Sequence, residues 1–534
     1  MKQVGISYKQ HKLDENYDCI VIGSGIGGLT VAALLSRHGN KKVLVLEKHS
    51  VAGGFTHVFH RSNYEWDVGV HYIGRTSDPT MEVRAAFDYL THGELLWSKM
   101  PDVYDRIFIG NQVFDFPTGT ESFRQQMCSY FPSETRAIDK YIRAVHSAQK
   151  LSSLYFAEKA IPSPIASCIG GLLRYGFLRY AKKTTSQAIA EYTSNPELAA
   201  VLTGQWGDYG LPPGQSSFGM HSIVAHHYFE GAGYPIGGAS RMAESIASTI
   251  EKGGGCIAIS AYVEEILVDQ NKTAFGVKMK DGREIRAKTI ISDAGAINTY
   301  HNLLPSGVTQ SMPEKKLLGA IPPSFCHIGL YVGLKHLPEI ANYGDSNLWI
   351  YPDSNHDLNF ARSCENIDAP FPFLYISFPS SKDPSFLSRY PGRATIEVIT
   401  LTSFKHFEKW KNLRWQHRGE EYEAFKNRLS KRLLEELERH VPAIKGNIDY
   451  WELSTPLSTK HFANYPTGEI YGLAHTPERF NARWLGARTP IKNLLLTGQD
   501  VAACGIAGAL FGGVVAASNV LKKDMMAVVA RGNH

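Results

Sequence analysis

Val21-Ile22-Gly23-Ser24-Gly25-Ile26-Gly27-Gly28, with Glu47 beyond it, decides the fold of this 534-residue chain. The apolar run Tyr17–Ile22 reads as a buried strand. Glycines at 23, 25 and 28 then spell G-x-G-x-x-G, with Ser24 and Gly27 between them. Gly23 allows the tight bend, Gly25 lets backbone N–H groups approach a pyrophosphate, and Gly28 lets the next helix pack on the strand. That helix is expected from Leu29 to about His38. A second strand, Val43–Leu46, ends at Glu47, 24 residues after the first glycine. There a carboxylate meets the hydroxyls of an adenosine ribose, and Lys48 stands beside it. The glycines alone describe any strand-to-helix turn. Strand, helix, strand and acid in register describe a dinucleotide site.

Two further glycine-rich segments select the dinucleotide. Gly53-Gly54 follow soon after the acid, a pair that a nicotinamide-binding unit does not need. Extended FAD does need it, because the backbone must approach its pyrophosphate a second time. Towards the other end of the chain, strand Asn493–Thr497 runs into Gly498-Gln499-Asp500 and then Val501–Ala509, which contains Gly505, Ile506 and Gly508. In flavoproteins with two dinucleotide-binding motifs such a unit completes the site. Asp500 would hold ribityl hydroxyls, and the helix N-terminus would face the pyrimidine edge of the isoalloxazine, where its dipole favours negative charge. FAD is therefore the expected cofactor.

Between these motifs, Tyr234–Gly238 opens a helix, Ala239–Lys252. Strands Cys256–Ser260, Val263–Val268 and Gly276–Lys280 follow, and Asp281-Gly282 signals a type I′ hairpin. Val263 is the candidate for backbone contact with adenine, and Thr289–Ile291 is a further strand. Gly253-Gly254-Gly255 precedes a strand, so it is a turn and not a second fingerprint. NAD(P)H is left open as an external reductant, without a motif to support it.

The bulk properties suit an ordinary globular protein of two or more domains, with 43% hydrophobic and 20% charged residues. A net charge of +5 without a dense basic run argues against nucleic acid. Seven cysteines without a Cys-x-x-Cys pattern read as free thiols in a reducing compartment, and no metal site is expected. The expected class is α/β: a Rossmann-type FAD domain from 17–120, 232–299 and 485–525, interwoven with a mixed-sheet and helical substrate domain from 121–231 and 300–484. In the substrate domain Phe325–Val332, Phe373–Phe378 and Ala394–Leu401 read as strands and Glu420–His440 as a long amphipathic helix.

Met1–Asn16 is polar and lacks a signal-peptide core, and the uncharged Val501–Leu521 fits a buried cofactor helix better than a membrane span. A location on the cytoplasmic side is expected. Ile165–Lys183 gathers Ile165, Ile169, Leu172, Leu173, Gly176 and Tyr180 on one helical face, opposite Ser167 and Arg174. Arg179, Lys182 and Lys183 close it. Two readings stand, a helix on a membrane surface and a helix on the substrate domain's own core.

These motifs extend to Phe59–Gly74 (with Trp66-Asp67-Val68-Gly69-Val70-His71-Tyr72), Gly204–Gly238, Tyr375–Ser380, Ser454–Ser458 and Thr497–Gly513. On them the chain resembles the carotenoid isomerase, phytoene desaturase and retinol saturase group of flavoproteins, retinol saturases most. That group shares the amine-oxidase fold. The resemblance implies a flavin acting on carbon–carbon double bonds of a long apolar polyene. Phe55 departs from the wider superfamily, where an arginine commonly follows the glycine pair, so the pyrophosphate would rely on backbone donors and helix dipoles.

An alkene without a conjugated carbonyl is a poor hydride acceptor. Protonation of one end, delocalisation along the polyene and hydride from flavin N5 would give saturation. Rotation and proton loss would give cis–trans isomerisation, and hydride removal by oxidised flavin would give desaturation. His71 is the first candidate for the proton donor, because the resemblance places its loop near the isoalloxazine and imidazole titrates near neutrality. Tyr72, His226, His227, Tyr228 and Tyr471 are the others; His226 and His227 also read as structural. Tyr209 and Tyr471 flank a substrate tunnel or simply pack, and no covalent flavin link is expected at Cys504. A reductase or isomerase of polyunsaturated fatty acids is a rival that needs a cation such as Arg75 or Arg362 in the tunnel. A flavin amine oxidase is another, and needs a pocket for a charged amine. Gly28 and Asp500 argue against a flavin-free prenyl-protein carrier of the same fold.

Overall fold

The computed structural model describes residues 3–161, 163–310, 312–335 and 345–531. The fingerprint strand, Asn16–Ile22, lies inside an eight-stranded sheet, the count being of the described residues. Val43–Leu46 and Glu284–Ser292 flank it in parallel, with Val21 opposite both Val45 and Ile291. Leu494–Leu496 joins the far side of Glu284–Ser292, also in parallel. Such strands are covered on both faces, which is why they read as unbroken apolar runs. Val263–Val268 and Ala274–Met279 extend the sheet as an antiparallel meander. Its turn differs from the expected type I′. Gly282 N donates to Met279 O across Lys280 and Asp281, and of the turn residues Gly282 takes positive φ, at 89°. A type I turn followed by a left-handed glycine closes this hairpin, because Asp281 keeps an ordinary φ.

Helix Ile26–Gly39 leaves the fingerprint turn and packs against two others, Ser240–Lys252 and the terminal helix Gly505–Leu521. Small residues allow the second contact: a Cβ on Gly513 would lie 2.6 Å from the Gly27 carbonyl oxygen. The crossing brings the two helix N-termini, from opposite ends of the chain, to one place.

A second sheet of seven strands runs in the order Ile448–Ser454, Cys326–Leu334, Ala394–Thr402, Leu374–Ser377, Asn347–Tyr351, Val103–Ile109, Gln112–Pro117, again among the described residues. Its alternation is regular. Leu348, Ile350, Leu374, Ile376 and Val398 face the amphipathic helix Glu420–His440 through Leu429, Leu433 and Leu437. Trp349, Tyr375 and Leu401 face the other way, as the two-residue period of a strand requires. The hairpin Val103–Pro117 belongs here, since Val103–Ile109 pairs in parallel with Asn347–Tyr351. Residues 103–117, grouped by their sequence with the 17–120 cofactor segment, thus lie in the other sheet. Helices Thr135–Ala160, Ser163–Ala181 and Phe218–Phe229 pack on one another and roof that sheet's inner face.

Helix Ser163–Ala181 turns its Arg174 inward, where the guanidinium donates to Phe480 O at 2.8 Å. Its outward face exposes Ile165, Ile169, Leu172 and Tyr175, with Leu172 79% exposed. Leu173, Gly176 and Tyr180 are half-buried. Among the described residues no helix is long and apolar enough to cross a membrane.

Candidate functional site

A single cavity of about 1590 Å³ runs from the fingerprint turn into the space between the second sheet and the helical layer. Pockets for one small ligand hold about 300–1,000 Å³, so this one has room for an extended dinucleotide and a second molecule.

At its first end, Gly23, Ser24, Gly25 and Gly27 form the wall, followed by Glu47, Lys48, Gly53 and Gly54. Glu47 ties them together. Its Oε2 accepts Ser24 N at 2.9 Å and Ser24 Oγ at 2.6 Å, and Oε1 accepts His49 N at 2.7 Å. Ser24 Oγ in turn accepts Gly53 N at 3.0 Å, which locks the second glycine pair to the first turn. Gly53 and Gly54 take φ of 118° and 57°, values that favour glycine. Val263 also reaches the wall. Gly28 and Gly498 do not: a Cβ on Gly28 would strike the Gly23 carbonyl, and one on Gly498 the Asp293 carboxyl. Both glycines serve close packing behind the site.

Asp293 is the residue here that sequence reasoning missed. It follows strand Glu284–Ser292, and its carboxyl enters the fingerprint turn, hydrogen-bonded to the amides of Gly25 and Gly28. Burial, with Glu47 and Asp500 nearby, pushes it up to about 8. The turn therefore collects the nearest acid group, as a nest built for a pyrophosphate must.

The other half-site arrives with the terminal helix. Gly505, Ile506 and Gly508 line the cavity at its N-terminus, where Cys504 supplies no side-chain cap. Its first amides are free to meet an anion. Asp500 is buried on the wall and accepts Ala296 N at 2.8 Å and Leu473 N at 2.9 Å. Arg479, a second residue the sequence did not single out, lies 3.6 Å from its Oδ1. Burial pushes the Cys504 thiol up to about 12, so it stays protonated and a poor nucleophile.

The far half is aromatic. Tyr72 stacks on Tyr228 with ring centres 4.4 Å apart, and Trp349 lies 4.5 Å from Tyr375. His71, Tyr72, His226, His227, Tyr228 and Tyr471 all reach the wall; Tyr209 does not, and pairs with His221 Nδ1 at 3.2 Å. His71 Nδ1 lies 2.8 Å from Glu397 Oε2, turned off the hydrogen-bond axis. His227 Nε2 accepts Gly74 N at 2.9 Å, which commits that ring to holding strand Ile73–Gly74. His226 packs edge-on against His146. Burial pushes His71 down to about 3 and both His226 and His227 down to about 4, leaving three uncharged imidazoles at neutral pH.

Behind them lies a buried polar cluster. Lys382 Nζ donates to His71 O at 3.0 Å, to Ser377 Oγ at 2.7 Å and to Asn347 Oδ1. Tyr72 Oη lies 2.8 Å from Asp105 Oδ2 and 3.1 Å from Asp208 Oδ2. Asp208 lines the cavity.

Residues 21–90 match the NAD(P)-binding Rossmann-like domain family. In architecture the chain is similar to cyclohexylamine oxidase from Brevibacterium oxydans, with a TM-score of 0.56, 17% identity, and 96% of this chain and 99% of that one covered. Fold and site together define an α/β protein built on a Rossmann dinucleotide-binding unit. In sequence it is 37% identical to all-trans-retinol 13,14-reductase of Danio rerio, over 96% of this chain and 87% of that protein. It is 26% identical to the chloroplastic prolycopene isomerase of Arabidopsis thaliana, over 95% of this chain and 84% of that one. The chain belongs to the all-trans-retinol 13,14-reductase family.

Proposed function

We propose that the protein is an FAD-dependent oxidoreductase that saturates a carbon–carbon double bond of a long apolar polyene of the retinol or carotenoid kind. The observation that carries this reading is the one cavity that joins a dinucleotide nest to an aromatic tunnel.

The residues fit FAD. Amides of the fingerprint turn and of Gly53-Gly54 would take the pyrophosphate, Glu47 the adenosine ribose and the Val263 backbone the adenine. Asp500 and the N-terminus of the terminal helix would take the ribityl chain and ring. Phe55 stacks on Tyr465 at 6.1 Å and brings no charge, so the anion is left to backbone donors. When bound and reduced, FAD supplies a hydride equivalent. The rest falls to the protein. Tyr72, Tyr228, Tyr375 and Trp349 hold an extended polyene, exclude water and present ring faces to the positive charge that protonation creates. His227 keeps the adjoining strand in place through Gly74 N.

Neither arginine named for a fatty-acid carboxylate serves one in the tunnel. Arg75 reaches the wall but is paired with Glu82 at 2.6 Å, and Arg362 is exposed and off the wall. For a charged amine, Glu82 is spent on Arg75, Asp500 on backbone amides and Arg479, and burial pushes the Asp208 carboxyl well above the usual range, towards its neutral form. Isomerisation is the second reading, favoured by the similarity to a prolycopene isomerase, and it uses the same protonated polyene. The apolar outer face of helix Ser163–Ala181, with Arg179 and Lys182 exposed at its end, suits a lipid surface from which such a substrate is drawn.

The test is anaerobic. The flavoprotein is reduced with dithionite, all-trans-retinol is added and the product is weighed. A gain of two hydrogens is expected; unchanged mass with a shifted retention time would replace saturation by isomerisation.

A further inference from the structure

We propose that Asp208 delivers the proton to the bound polyene, an inference that rests on the reading above. Asp208 sits in the short turn Trp206–Tyr209. It is enclosed by protein yet keeps accessible surface, and that surface opens on the aromatic half of the cavity beside Tyr72, Tyr228, Trp349 and Phe373. Its carbonyl oxygen lies 3.7 Å from Cys504 Sγ, at the N-cap of the terminal helix. The acid thus stands between the tunnel and the half-site that faces the flavin ring. Of the wall's other enclosed carboxyls, Glu47, Asp293 and Asp500 belong to the dinucleotide half, while Glu82 is paired with Arg75 at 2.6 Å and Glu452 with Arg61 at 3.1 Å.

Counting hydrogens shows which form the acid takes. Tyr72 owns one hydroxyl hydrogen and faces two carboxyls. Asp105 is the better-supplied partner: its Oδ2 also accepts Gln205 Nε2 at 2.7 Å and its Oδ1 accepts Asn347 Nδ2 at 2.9 Å. Lys382 adds a nearby positive charge. Burial raises the Asp105 carboxyl too, but these donors and Lys382 oppose it, so of the two acids Asp105 holds the negative charge and the tyrosine hydrogen. The contact between Tyr72 and Asp208 is then a hydrogen bond only if Asp208 carries a proton and donates it to the phenol oxygen. Two carboxylates around one hydroxyl would repel across a dry interior. Burial and the Asp105 charge push the Asp208 carboxyl well above the usual range, in accord with that count. The imidazoles of His71, His226 and His227 carry no spare proton at neutral pH, and burial pushes the Tyr72 phenol well above its ordinary value.

In the step, the Asp208 O–H bond breaks and its electron pair stays on the carboxylate. The alkene π pair forms the new C–H bond, leaving the positive charge on the neighbouring carbon. FAD held by the Gly23–Gly28 turn and the helix N-terminus at Gly505 would, when reduced, supply the two-electron hydride equivalent that this carbon needs. Tyr72 then turns its hydrogen from Asp105 to the new Asp208 carboxylate, and solvent returns the proton once the product leaves. Tyr72 and Asp105 are positioning residues.

The experiment compares flavin-loaded wild type with Asp208→Asn and Asp208→Glu. The infrared difference between wild type and Asp208→Asn, without substrate, is expected to show a protonated-carboxyl band that shifts in deuterium oxide, while the carboxyl of Asp293, neutral below about pH 8, contributes equally to both proteins and cancels. Reduced protein is then mixed with all-trans-retinol in deuterium oxide, and flavin reoxidation and deuterium in the product are followed. Asp208→Asn should keep its flavin and bind retinol but reoxidise about 10²–10⁴-fold more slowly, with partial recovery in Asp208→Glu. A band unaffected by Asp208→Asn, or a variant as fast as wild type, overturns the assignment. If wild type and both variants are equally inert with retinol and with carotenoids, the polyene reading itself falls and the assignment falls with it.

Discussion

Gly513→Ala would set a methyl group between the two helices that carry the cofactor turns. The Cβ at Gly513 lies 2.6 Å from the Gly27 carbonyl oxygen and 2.6 Å from Thr30 Cβ, both in the fingerprint helix. Ordinary contact begins at 3.4 Å, so 0.8 Å is lacking against a backbone atom that cannot swing aside. Overpacking of this kind costs about 1–3 kcal/mol. The relief available is separation of the helices, which draws the Gly23–Gly28 nest away from the uncapped N-terminus at Gly505. A cofactor that touches both ends would lose that free energy, a weakening of roughly 5- to 150-fold in Kd. Apoprotein titrated with FAD in a calorimeter measures it, and thermal unfolding of the same sample reports the strain. Gly171→Ala is the control: nothing lies within 4 Å of its Cβ and the site is exposed, so the extra helix propensity should stabilise by up to about 1 kcal/mol. If Gly513→Ala binds FAD as tightly as wild type and melts at the same temperature, the glycine crossing does not hold the two half-sites together.

The Asp293 carboxyl, pushed up to about 8, is neutral below that pH and charged above it, so a pyrophosphate sharing its amides should bind more weakly as pH rises through this value, by up to about tenfold per unit. Titrations from about pH 6 to about pH 9 should show the fall in wild type and not in Asp293→Asn; parallel curves would remove Asp293 from the anion site. His227→Phe strands the buried Gly74 N–H and should lower stability by about 1–3 kcal/mol in urea unfolding. No change in midpoint there would mean that the strand is held by other bonds. Ile169→Asp combined with Leu172→Asp should abolish sedimentation with anionic vesicles while leaving flavin content and melting temperature unchanged, since both side chains are exposed. Undiminished binding would point to another face.

The cofactor half was legible because its information is local. Gly23 to Glu47 is one strand, one turn, one helix and one strand, and each glycine answers a steric demand within that unit. Asp293 was not legible, although its strand was, because its carboxyl enters the nest only when Glu284–Ser292 pairs beside the fingerprint strand. The hairpin Val103–Pro117 was misallotted for a related reason: a parallel pairing with Asn347–Tyr351 spans too much sequence for any periodicity to report.

That pairing also explains why the histidines attracted notice and Asp208 did not. The register of the second sheet sets Asp105 opposite Asn347, and Tyr72 and Gln205 complete its donors from two further segments. A histidine looks like a proton donor in sequence because its unperturbed titration lies near neutrality, yet enclosure by aromatic rings removes its proton. The same enclosure adds one to a carboxyl. In an apolar tunnel the residue to suspect is therefore the aspartate that looks too acidic, provided that a better-supplied acid nearby takes the charge. Asp105→Asn tests that logic. It removes the anion that holds the Tyr72 hydrogen, so Tyr72 should turn to Asp208 and let it ionise, and the infrared band of the protonated carboxyl should weaken although Asp208 itself is untouched. A band of undiminished strength would mean that burial alone keeps Asp208 neutral and that the pairing with Asp105 has no part in it.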